Sequence, residues 1–128
     1  METPAVEKRE VDRSESLTRE ISRAMVGLFK DHVGRGPTLA KTYINENLVV
    51  CLLHDTMTKA EKTLTDEGKG DEVRQIRRSF QGLFRDQAID TVEKLVGRKV
   101  IAILSDHAVD PDWAVEAFVL EPNSSNSG

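Results

Sequence analysis

Residues 34–55 read GRGPTLAKTYINENLVVCLLHD, and this stretch decides the fold. Gly34 can take the left-handed backbone that closes a helix, and Pro37 cannot continue one, so a helix ends here. Tyr43, Ile44 and the run from Leu48 to Leu53 then supply β-prone side chains. The pattern predicts strands over 38–44 and 48–54, joined by a tight turn at Asn45-Glu46-Asn47, where asparagine tolerates positive φ. The second run is apolar on both faces, which predicts a central strand covered by helices or by a partner. Further along, Gly97-Arg98-Lys99 feeds the apolar run 100–104 in the same manner. A loop over 105–112 and a strand over 114–120 complete a second strand pair.

Working outward, Leu17, Ile21, Ala24, Met25, Leu28 and Phe29 recur at spacings of three and four, which places them on one face of the first helix. Thr58-Lys59-Ala60-Glu61 matches a capping box and predicts a short helix that Gly68 ends. A long helix is expected over 72–96, burying Val73, Ile76, Phe80, Leu83 and Phe84 on one stripe. Ile89, Val92 and Val96 fall off that stripe, so this later face meets either the first helix or a second copy of the chain. The order α-β-β-α-α-β-β predicts an α+β fold: a two-layer sandwich with a four-stranded, mainly antiparallel sheet and helices on one face. Along 113–120, Trp113, Val115, Ala117 and Val119 alternate with Ala114, Glu116, Phe118 and Leu120. With Glu116 the one polar residue among them, the second sheet face is expected to be apolar, and a homodimer follows as an expectation.

The chain has 128 residues, which suits one hydrophobic core. Residues 1–13 and 122–128 are expected to be a disordered lead-in and tail around a single domain at 14–121. A net charge of −4 argues against a protein that coats nucleic acid. No apolar stretch approaches bilayer length, and the charged start (Glu2, Glu7, Lys8, Arg9, Glu10, Asp12) is unlike a secretory signal. The single cysteine, Cys51, lies in an apolar run, which fits a buried thiol in a reducing cytoplasm. Any membrane role is then peripheral, at the inner face.

Four constellations invite chemistry. Cys51 and His54 sit three apart on a strand and so point to opposite faces, which disfavours a thiol dyad. His54, Asp106 and His107 form a possible polar cluster at strand ends, with Asp55, Asp110 and Asp112 nearby; their convergence is what a metal-assisted hydrolase or lyase would need. They lack the rigid spacing of a metal motif, so neither a metal nor another cofactor is expected. Arg74, Arg78 and Arg85 share a helical face beside Arg77. They form either a solvated row paired to Asp71, Glu72 or Asp86, or a patch for phosphate, nucleic acid or an acidic partner. Finally, Arg35, Gly36 and Lys41 at the glycine turn offer either an anion clamp or a plain helix-to-strand connector.

At these residues the chain resembles a known family. GRGPTLAKTYINENLVVCLLHDTMTKAEKTL, VRQIRRSFQGLFRDQAIDTVEKLVGRKVIAILSDH and DWAVEAFVLEP look like the bacterial MpsC-like family across residues 16–122. The Gly-Arg-Gly-Pro turn, the strand Lys41-Thr42-Tyr43-Ile44 and the Ser-Asp-His end carry the resemblance, with Lys41 standing where arginine is expected. The resemblance implies a soluble component linked to a sodium-translocating, membrane-potential-generating system, with an integral membrane transporter subunit as partner. It transfers no catalytic residue. The expectation is a non-catalytic accessory or regulatory protein, with a small-anion or nucleic-acid binding module and a metal-assisted enzyme as the alternatives.

Overall fold

The computed structural model describes the backbone of residues 5–122 and the side chains of residues 13–122. Three helices, α1 (Ala5–Val33), α2 (Lys59–Asp66) and α3 (Gly70–Val96), accompany four strands: β1 (Leu39–Asn45), β2 (Leu48–His54), β3 (Val100–Val109) and β4 (Asp112–Leu120). The sheet order is β1-β2-β4-β3 with every neighbouring pair antiparallel. α1 packs on β1, α3 packs on β3, and both lie on one face of the sheet, so the α+β expectation holds. Residues 1–4 and 123–128 lie outside the described residues, and with them most of the expected tail. α1 begins at Ala5, inside the stretch expected to be a lead-in.

The core is the seam between helices and sheet. Ile21, Met25 and Phe29 of α1 meet Val49, Cys51 and Leu53 of β2, Phe118 and Leu120 of β4, and Phe84, Ala88 and Val92 of α3. Each large apolar side chain buried there stabilises the fold by about 1.5–3 kcal/mol. The later face of α3 thus meets α1 and the sheet, and is not a seam between copies. The earlier stripe needs correcting. Ile76 and Leu83 are exposed, while Arg77 is buried among Val73 and Phe84. A charged side chain took the core position because it has a charged partner, described below.

The expected loop over 105–112 is strand. β3 continues to Val109, β4 starts at Asp112, and Asp110-Pro111 makes the turn. Ser105 and His107 point inward here and Asp106 outward, so inward polarity masked the period-two pattern. In the β1–β2 turn it is Glu46, not an asparagine, that takes positive φ (54°).

Both glycines of the opening motif are structural. Gly34 (φ 88°) caps α1, its N–H donating to Lys30 O at 3.0 Å. At Gly36 an added Cβ would sit 3.1 Å from Val26 Cγ1, a tight contact, so glycine suits the close departure of β1 from α1.

Candidate functional site: an arginine groove and an open sheet face

The β2–α2 loop is tied down by two cations. Arg35 donates to Asp55 Oδ2 at 2.5 Å and to Met57 O at 2.7 Å, and Lys62 adds a contact to Asp55 at 3.1 Å. These bonds hold Asp55 in its left-handed conformation (φ 61°). The Lys62 hydrogen bond, joined by Arg35 and opposed by partial desolvation, lowers the Asp55 pKa. Arg35 is therefore engaged by its own chain, and Lys41 lies on the opposite side of the sheet beside Tyr43. The structure does not bring Arg35, Gly36 and Lys41 together as a clamp.

Two buried polar assemblies sit behind this loop. Arg77, 5 % exposed, donates from Nε to Glu61 Oε2 at 2.7 Å and from its NH2 to Glu61 Oε1 at 2.8 Å and Thr56 O at 2.6 Å. Glu61 Oε1 also accepts the Thr58 N–H, while Thr58 Oγ1 accepts from Glu61 N, so the predicted capping box doubles as one end of a buried ion pair. In the second assembly, Asp112 accepts from Thr56 Oγ1 at 2.9 Å and from Met57 N at 2.8 Å, and lies 3.2 Å from His107 Nε2. Burial works against its charge, but the bonds from His107, Met57 and Thr56 win and hold its carboxyl well below the usual range.

The strand register settles where the expected polar cluster goes. His107 pairs with Ala114 on the covered face, whereas Asp106 and His54 lie on the open face, with His54 stacked on Trp113 at 4.2 Å between centroids. His54, Asp106 and His107 do not converge, so the three-residue centre required by metal-assisted chemistry is not formed. Among the described residues no three His, Cys, Asp or Glu side chains gather with metal-site geometry.

The arginine row does gather. Between α3 and β3 run two adjoining cavities of about 270 and 400 Å³, both lined by Arg78, Gln81 and Ser105. Arg74 and His107 line the first, Arg85 and Glu116 the second. Arg74 to Arg85 spans three turns of α3, about 16 Å at 1.5 Å per residue. Arg74 is shared with Asp71 at 2.6 Å, and Arg85 reaches Ile103 O at 2.9 Å. No hydrogen-bond acceptor holds Arg78 among the described residues, and it stands between the other two.

Two of the groups lining this groove are little exposed. Glu116 is 2 % exposed and hydrogen-bonded by Ser105; burial raises its pKa to about 7 against the pull of Ser105 and Arg85. The His107 ring faces Asp112 and Thr56 through Nε2, and its Nδ1 is buried without a partner among the described residues. Burial lifts the Cys51 thiol to about 11, leaving a weak nucleophile on the far side of the core. Sequence reasoning singled out the arginine row and set Asp112 near His107, but missed Thr56 and the pairing of Arg77 with Glu61. The capping box marked Glu61, yet nothing in the spacing revealed its partner sixteen residues away.

No described element covers the face of the sheet away from the helices. Tyr43, Leu48, Val50, Leu52, Trp113, Val115, Val119 and Leu104 all point that way, and Tyr43, Leu48 and Leu104 are 51 %, 40 % and 63 % exposed. Glu116 faces the helices, so β4 gives the open face Trp113, Val115, Ala117 and Val119.

Comparison with known proteins finds one family, described as "Na+-translocating membrane potential-generating system (MpsC)", matching residues 13–122. A relative from Bacillus subtilis (strain 168), named "Uncharacterized protein YrhF", is 28 % identical over 96 residues, covering 73 % of this chain and 79 % of its own. No solved structure matches.

Proposed function

Because the chain belongs to the MpsC family, we propose that it is a non-catalytic regulatory component attached to a membrane cation-translocating system at its cytoplasmic side. It works by taking an acidic segment of a membrane partner into the arginine groove. No described helix is long and apolar enough to cross a membrane, so contact with such a system would run through a surface.

The carrying observation is Arg78, an exposed guanidinium without an acceptor among the described residues, set between Arg74 and Arg85 on one side of a groove about 16 Å long. An extended peptide rises about 3.3 Å per residue, so the groove matches some five residues better than a single small anion. Guanidinium groups grip carboxylates in bidentate fashion. Binding is favoured over bond-making because the groups with chemical capacity that line the groove are already engaged within the chain. Glu116 is capped by Ser105, and His107 is committed through Nε2 to Asp112 and Thr56.

Affinity-tagged protein purified from solubilised native membranes tests this. An integral membrane protein should co-purify, be released as salt rises, and be lost with the paired change Arg74→Ala and Arg78→Ala. Recovery of the same partners by the paired variant would contradict the groove as the binding site.

A further inference from the structure

The open sheet face carries a charge pattern that pairs with itself. The registers place Lys41 beside Leu52, Leu52 beside Val115, and Val115 beside Asp106, so one row crosses the whole sheet from a cation at one edge to an anion at the other. The next row reads Tyr43, Val50, Ala117, Leu104. From this pattern we infer that a second copy of the chain covers the open face, related by a two-fold axis that lies between the two sheets and runs parallel to their strands.

That axis reverses each row upon itself. Lys41 of each copy then faces Asp106 of the other, Leu52 faces Val115, and Tyr43 lies over Leu104. Turning the axis across the strands would set each edge strand over its own equivalent and lose both charge pairs. Aligned sheets pack about 10 Å apart at about 30°, which displaces the outer rows most and these two middle rows least. Both charges are available: Lys41 is exposed beside Tyr43, and Asp106 binds the His107 N–H with one carboxylate oxygen.

The footprint is adequate. Four strands about 4.8 Å apart and about seven residues long at about 3.4 Å each cover roughly 450 Å² of flat sheet, which side-chain relief enlarges toward the ~800 Å² per partner of a standard interface. An isologous contact is also the commonest way for a soluble chain to close upon itself. The two readings meet at Asp106, which also lines the first groove cavity; Lys41 lies on the opposite side of the sheet from α3, so Lys41→Glu tests the dimer without touching the groove.

Sedimentation velocity of the full chain across micromolar concentrations tests it. The unaltered chain should sediment as a dimer. Lys41→Glu should weaken the dimer at least about tenfold, because each copy would then set like charges together at two places. Asp106→Lys should do the same, and the double variant should regain the dimer. Circular dichroism should show unchanged folding, since both side chains are exposed. A monomeric parent chain, a dimer indifferent to Lys41→Glu, or a double variant as weak as the single ones would overturn the inference.

Discussion

Glu116 is a carboxyl sealed between sheet and helices, with a pKa raised to about 7 by burial and an ordinary value near 4.5 in the unfolded chain. The folded state therefore holds a proton that the unfolded state releases between these values. Its contribution is fully present below pH 4.5 and is lost as pH rises through about 7, amounting to about 3 kcal/mol over that window. Urea unfolding should show that Glu116→Gln flattens the decline of stability from pH 5 to pH 8 and leaves the variant the more stable of the two at pH 8. The Arg77–Glu61 pair behaves differently, since each charge is satisfied by the other. Arg77→Met should strand a buried carboxylate and cost about 3–5 kcal/mol, while pairing it with Glu61→Met should return much of that. A double-mutant cycle by chemical denaturation measures this; an additive result would deny the coupling.

At the scale of elements, the boundaries most legible in the sequence were those set by glycine, proline and capping chemistry. Gly34 and Gly97 both stand at helix ends in left-handed conformations, and the Thr58–Glu61 box forms with both of its bonds. Less legible were elements whose inward positions are polar. Ser105, His107 and Glu116 face inward because they bond to one another's neighbours, and a single sequence shows polarity without showing satisfaction. Arg77 misled for the same reason, since its core position depends on Glu61 from another helix. The groove was half legible: helical periodicity aligned Arg74, Arg78 and Arg85, but the second half of the strand that forms the opposite wall, residues 105–109, was read as loop. A synthetic acidic pentapeptide should bind the full chain with a salt-sensitive affinity that Arg78→Ala weakens by about tenfold, measurable by titration calorimetry. Salt-independent binding, or none, would contradict an electrostatic groove.

For the whole molecule, the two faces of the sheet divide the work. One face, covered by α1 and α3, holds the fold together and presents guanidinium groups along its rim. The other offers an apolar surface with balanced charges at its edges, suited to a second copy. The claim at the centre is that the α3–β3 groove seats a membrane partner. Gly82 lines that groove, and an added Cβ there meets no atom within 4 Å, so a photoreactive side chain can be placed at this position without disturbing the fold. Illumination in native cells should join it covalently to an integral membrane protein, with the adduct lost when Arg74 and Arg78 are also neutralised. Adducts confined to soluble proteins, or unchanged by neutralising those arginines, would contradict the account.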